Sequence, residues 1–308
     1  MIKHSLKIKL LHRFTGHKSG VYALEAMPGT NIFWSGSGDA AVVQWNAQES
    51  KEGILFAKSK GIIYSIRINP ELNHLLIGQS TGGMHVINLN SNTEERLLQN
   101  HTAPIFYVGY QPTHSLLFSL AGDGSLCILS AHDYRLIKTI KILNSKLRCV
   151  AFHNIKNECA VACGDGSIVI LSLPEGEVIN RFQAHQKDFS VNTVAYSPDG
   201  KYLISGSRDA HINVLSADDY SLIKSIPAHN YAIYNIAFHP SQKIMATASR
   251  DKTIKIWDTN TYEVIIKLDK EHYDGHTHSV NKLMWINDQL ISTGDDRTII
   301  VWSLNFEV

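Results

Sequence analysis

Three residue types that together can hydrolyse an ester or amide recur along this chain of 308 residues. They stand as His17, Ser35 and Asp39; His101, Ser119 and Asp123; His185, Ser205 and Asp209; His229, Thr247 and Asp251; and His276, Ser292 and Asp296. In a hydrolase the imidazole takes the hydroxyl proton and the carboxylate orients the imidazole. That chemistry needs one exposed nucleophile beside an oxyanion site. Five equivalent copies instead describe a repeated structural device, and no catalytic residue is expected among them. Two further units lack the His, and there the hydroxyl position is Ile77 or Val161. A buried polar group left without its partner costs about 1–3 kcal/mol, so such a set is kept or lost together.

Other motifs point to no chemistry. Gly36 to Ala41 matches G-x-G-x-x-A, but it precedes a strand where a dinucleotide site needs a helix N-terminus. His272, His276 and His278 lie close in sequence, yet His276 already belongs to the repeated set. Cys159 and Cys163 have no second pair to complete a zinc tetrahedron. With Cys127 and Cys149 they read as reduced thiols filling apolar space. No metal and no cofactor is expected.

The elements behind these residues follow from a period. Asp39, Thr81, Asp123, Asp165, Asp209, Asp251 and Asp296 head equivalent segments in steps of 42 to 45 residues. Each follows a turn-like group and precedes an alternating stretch such as AVVQW, SLCIL or TIKIW. Period-2 alternation of β-branched residues between turns is a strand signal, and no helical period is evident. Upstream lies a second apolar rhythm, as in V-x-x-L-x-A from Val21 to Ala26 and I-x-x-I-x-I from Ile63 to Ile68. Four strands per unit of about 42 residues is the period of a propeller blade.

Gly16-His17 to Trp45, Ala228-His229 to Trp257-Asp258 and Gly275-His276 to Trp302 are the clearest copies, and over its whole length the chain resembles the WD-repeat (β-transducin-like) family. The resemblance implies an all-β fold: a single seven-bladed β-propeller over residues 1–308, with four-stranded antiparallel blades. The last unit lacks a fourth strand, so the N-terminal strand, about residues 5–14, is expected to complete it and close the ring. The resemblance also implies an Asp–His–Ser/Thr–Trp network in blades one, six and seven, which carry Trp45, Trp257 and Trp302. Blades three and five should hold it without the Trp, blade four should keep only Asp165, and blade two nothing.

Function is then expected on a rim. The strand position just after the first apolar residue reads Tyr22, Tyr64, Phe106, Arg148, Asn192, Tyr234 and Asn281. The position before each anchor includes Arg208, Arg250 and Asp295. WD-repeat geometry implies that both columns share the top face around a central channel. Aromatic and arginine side chains dominate binding hot spots, and arginine holds carboxylate or phosphate bidentately. The partner expected is a protein or peptide of acidic or phosphorylated character. Lys and Arg number 29 against 28 Asp and Glu, a balance that offers no global field for nucleic acid or an anionic membrane. No segment reads as a signal peptide or membrane helix, so the chain is read as a cytoplasmic monomer. Longer connections at Gln186 to Phe189 and in KLDKEHYDGH fall on the same rim. The rival reading is a propeller enzyme with a metal-assisted hydrolytic site in the channel. It calls for a ring of carboxylates or imidazoles on the inner strands.

Overall fold

The computed structural model describes residues 6–306. Residue 5, where the N-terminal strand is expected to begin, lies outside them, like residues 1–4, 307 and 308. Alternating apolar residues cannot be buried by one meander, so each four-stranded sheet packs both faces against its neighbours. The result is seven antiparallel sheets in a ring, six of them running in chain order. Blade one is Val21–Ala26, Ile32–Ser37, Ala41–Asn46 and Ile54–Lys58. In every blade the first strand is innermost and the fourth is outermost.

Blade seven is assembled from both ends of the chain. Val280–Ile286, Gln289–Gly294 and Ile299–Phe306 are completed by Leu6–Phe14, which pairs antiparallel with Leu10 opposite Trp302 and Phe14 opposite Ile299. Leu6, Ile8 and Leu10 pack on the cluster of the fully buried Trp302, while Phe14 packs with Trp45 and Phe33 across the seam to blade one. Burying one such side chain contributes about 1.5–3 kcal/mol, so the closing strand is held by packing as well as by its ladder.

The core is a set of clusters between adjacent blades. Phe118, Leu126 and Ile128 of blade three meet Leu147, Val150 and Val161 of blade four, for example. The four cysteines are free and buried, and Cys149, Cys159 and Cys163 sit in such clusters.

Every inner strand carries a β-bulge at its start. Val21 faces Ser37 and Ala23 faces Gly36, leaving Tyr22 without a ladder partner. The same skip occurs at Tyr64, Phe106, Arg148, Asn192, Tyr234 and Asn281. The bulge explains the V-x-x-L spacing, because one residue must be added before strict alternation resumes.

The turn between second and third strands places the residue after each anchor in the left-handed region. At Gly124 (φ 85°) a Cβ would stand 2.0 Å from the Leu143 carbonyl oxygen, so only glycine fits. Ala40, Ala210, Lys252 and Arg297 take the same conformation in the four blades where the anchor Asp bonds the His directly. One helix departs from the expected all-strand pattern. Lys270–Tyr273 forms a single turn in the long connection before blade seven, capped by the Asp269 side chain. None of its residues is buried, so it leaves no apolar period to read.

Candidate functional site

The bulged residues meet at one mouth of the central channel. Tyr22, Tyr64, Phe106, Arg148, Asn192, Tyr234 and Asn281 all line a cavity of ≈ 260 Å³, with Asp295. A bulge turns its extra side chain out of the sheet's alternation, and on seven inner strands the seven converge. Three rings form a run from blade one to blade three: Tyr22 to Tyr64 at 5.6 Å between centroids, then Tyr64 to Phe106 at 5.2 Å. The Arg148 guanidinium continues it, 4.7 Å from the Phe106 centroid. Asn192 and Asn281 instead bond the Ile233 and Val21 carbonyls of the following blades, at 2.9 and 3.1 Å.

The second column behaves differently. Asp295 lines the mouth and accepts a hydrogen bond from Asn281 Nδ2 at 2.8 Å. Arg208 and Arg250 are exposed and are absent from the cavity wall, which corrects the expectation of three arginines around the opening. They occupy the turn one strand outward, tied to the inner-strand approach by their backbone N–H groups at 2.9 Å from the Ser190 and Ala232 carbonyls, and the Arg208 guanidinium lies 6.0 Å from the Phe189 centroid. Side chains there reach solvent first.

A further ring lies deeper and was not singled out from sequence. Tyr107, Cys149, Thr193, Asn235 and Lys282 each follow a bulged residue, and they line both the mouth and the opposite vestibule. They form the waist. Two residues beyond them in blades one and two stand Glu25 and Arg67, lining the vestibule. Counting alternation from the bulge, rather than from the first apolar residue, would have found both sets.

Most of this ring is structural. Inner strands expose an unpaired edge, and side chains of one blade bond the backbone of the next. Ser65 accepts from Val108 N at 2.8 Å, Asn235 from Leu283 N at 2.9 Å and Glu25 from Ile68 N at 3.0 Å. Arg67 donates to Glu25 at 3.4 Å, Tyr107 Oη at 3.3 Å and the Val108 carbonyl at 3.4 Å. Burial raises the Glu25 carboxyl against the lowering effect of Arg67, and burial pushes the Tyr107 phenol up to about 12. Burial also lowers the Arg148 guanidinium and the Lys282 ammonium. The ammonium stands 5.5 Å from the Tyr107 centroid.

The repeated triads lie away from the channel, buried within the blades. In blade one His17 Nδ1 meets Asp39 at 3.1 Å, its Nε2 meets Ser35 Oγ at 2.7 Å, and Trp45 Nε1 donates to the same Oγ at 2.8 Å. One proton order satisfies every member: Trp N–H to hydroxyl oxygen, hydroxyl to Nε2, Nδ1–H to carboxylate. Blade six repeats it through His229, Asp251, Thr247 and Trp257, and blade seven through His276, Asp296, Ser292 and Trp302. Blade five has His185 with Asp209 and Ser205 at 3.0 and 2.8 Å.

Blade three differs: His101 reaches Ser119 directly but Asp123 only through the Ser125 hydroxyl, at 3.0 and 2.6 Å. In blade four Asp165 pairs with Arg181 at 2.6 Å. Burial lowers His17, His101 and His229, which keeps them neutral; burial also raises Asp251 and Asp296, but His229 and His276 together with the hydrogen bonds from Thr253 and Asn230, and from Thr277 and Thr298, hold both well below the carboxylate range. The five hydroxyls that the histidine Nε2 atoms contact are all buried.

The neighbouring histidines are separated by the fold. His276 is in its blade, His272 bonds Asp269 at 2.9 Å, and His278 meets Thr277 at 3.0 Å. Among the described residues no three metal-ligating side chains gather.

Comparison with known proteins bears on the fold and the family. The family described as "WD domain, G-beta repeat" matches residues 8–46, 176–215, 220–258 and 269–303. An uncharacterized WD repeat-containing protein of Schizosaccharomyces pombe is 24% identical over 97% of this chain and 49% of its own length. Eukaryotic translation initiation factor 3 subunit I of Coccidioides immitis is 23% identical over 71% of this chain and 56% of that protein. The chain thus spans about half the length of these curated relatives. The crystal structure of the WD40 β-propeller domain of Doa1 superposes with a TM-score of 0.84 at 18% identity, covering 96% of this chain and 97% of that one. The repeat period, the seven closed blades and these matches together place the chain in the WD-repeat family, as a seven-bladed β-propeller.

Proposed function

We propose that this propeller is a non-enzymatic interaction scaffold that receives a segment of a protein partner at the channel mouth. The observation that carries the reading is the convergence of seven bulged residues, four of them aromatic, on one cavity. Tyr22, Tyr64, Phe106 and Tyr234 supply rigid apolar area at low entropic cost, and Arg148 supplies the polar anchor. Asn192, Asn281 and Asp295 shape the wall, while the exposed Arg208 and Arg250 act from the rim on an acidic or phosphorylated partner. The N-terminal strand completes blade seven, so no blade is left short of its fourth strand, which favours a monomer. One relative is by name a subunit of eukaryotic translation initiation factor 3, in keeping with an assembly role in the cytoplasm.

The rival, metal-assisted hydrolysis in the channel, needs several inner-strand carboxylates or imidazoles. Among the described residues the cavities at the two ends of the channel offer Glu25 and Asp295, on different levels. A nucleic-acid platform finds little support in a net charge of +1.

The test is affinity capture comparing wild type with a Tyr22→Ala, Arg148→Glu, Tyr234→Ala variant whose blades are checked by circular dichroism. A partner held by wild type and lost by the folded variant is the expected result. Equal retention by both moves recognition off the mouth. Metal near one equivalent per purified chain would revive the enzymatic reading.

A further inference from the structure

Cations outnumber carboxylates in the channel, and two of them are unspent. Arg67 is fully engaged by Glu25, Tyr107 and the Val108 carbonyl. Glu25 in turn is occupied by Arg67 and the Ile68 N–H. Arg148 has only the Phe106 ring beneath it, its Nε is buried without a partner, and no carboxylate acts on it.

Lys282 stands at the ring position where Ser65, Thr193 and Asn235 stitch to the next blade. It makes no such bond, and the one carboxylate acting on it is Glu25. Both side chains are half-buried in the channel wall, where a partly desolvated cation without a close counter-charge is suited to hold an anion.

The sector around Arg148 is basic as well. Lys146 is lowered by burial and by the positive charges of Arg148 and Arg208. Ser145 Oγ, beside Lys146 against Gly164, is a second buried and unpartnered polar atom. Asp295, the mouth's carboxylate, sits in blade seven and is held by Asn281.

We propose that the channel is a phosphate site, in which Arg148 from the mouth and Lys282 from the waist hold one doubly charged phosphoryl group. Charge selects the ligand: two unspent cations match a phosphate monoester, which carries about −1.5 to −2 at neutral pH, better than a single carboxylate. Size agrees, since a cavity of ≈ 260 Å³ has room for a phosphoryl group together with several waters. The planar Arg148 fork takes two phosphate oxygens, the Lys282 ammonium a third from below, and Lys146 and Arg208 steer the anion inward. The source is either free phosphate or a phosphorylated side chain of the partner; only the second rests on the scaffold reading given above.

The experiment is isothermal titration calorimetry on the full chain at fixed ionic strength, with inorganic phosphate, phosphoserine, serine and acetate as probes. Wild type is expected to bind phosphate or phosphoserine at one equivalent, serine and acetate much more weakly. Arg148→Met and Lys282→Met are each expected to weaken binding at least about tenfold. Tighter binding of phosphoserine than of inorganic phosphate assigns the site to a modified side chain, and equal binding assigns it to the free anion. No saturable phosphate or phosphoserine binding overturns the proposal, as does binding unchanged in both variants or acetate binding as well as phosphate. Thermal melts confirm that the variants are folded. The scaffold reading fails separately, if the Tyr22→Ala, Tyr234→Ala pair, which leaves Arg148 in place, still captures the same partner.

Discussion

The blade interiors and the channel are built from similar polar side chains and end in opposite states. Inside blade seven every polar atom of the repeated set has its partner, from Trp302 Nε1 through Ser292 and His276 to Asp296. In the channel Arg148 Nε has none, and Lys282 lacks the cross-blade bond its neighbours make. The lesson is a way to sort polar residues in a repeat protein. A repeated set closed on itself holds the fold, and a charged group left open at the channel is a candidate to face something outside it.

The largest test of that sorting is His276→Ala. It strands Ser292 and Asp296 and opens a cavity, and chemical denaturation should show a loss of about 3 kcal/mol. Next comes a cycle in blade five, which has no Trp to leave unpaired. His185→Leu and Ser205→Val should each cost about 2 kcal/mol, and the double variant distinctly less than their sum. It recreates the solution of blade four, where Leu143 and Val161 share an apolar cluster. Additive losses would show that the pair is not a closed unit.

Acid should loosen the blades in two stages. His17, His101 and His229 titrate below the ordinary 6.5 when folded, so the unfolded chain binds their protons first. Their contribution is complete above 6.5 and is lost as pH falls through the folded values. Asp251 and Asp296 are also depressed, and their share is lost as pH falls below 3.8. Denaturation midpoints measured against pH should therefore be flat above neutrality and decline below it, with a shallower first stage in His229→Gln. The smallest effect belongs to the channel: Lys282→Met should change stability by no more than about 1 kcal/mol, in the stabilising direction, because it removes a partly desolvated charge that makes no hydrogen bond or close ion pair. A loss like that of His276→Ala would return Lys282 to the structural class.

Much of this architecture was legible in order of residues alone. The step of 42 to 45 residues, the alternation after each Asp and the shared absence of His and hydroxyl at Ile77 and Val161 defined blades, turns and closure. The mouth column was legible too, as the residue after the first apolar one. Arg208 and Arg250 share a column with Asp295 but not its place in the mouth wall, because a repeat column fixes where the backbone stands and not where each side chain turns. The waist went unread because the bulge resets the alternation, and Tyr107, Cys149 and Lys282 then look like ordinary strand residues. Blade three shows the same limit on a smaller scale: nothing in the spacing of His101 and Asp123 says that Ser125 stands between them.

The sequence by itself determined the elements, their number and the sets that must be buried together. Those follow from local alternation and from the cost of an unpaired polar group, and both act along the chain. Only the tertiary structure decided which side chains from seven distant strands share one passage, and that Glu25 is spent on Arg67 while Arg148 and Lys282 are not. Charge balance is a property of space, set by distances and burial that arise when the ring closes.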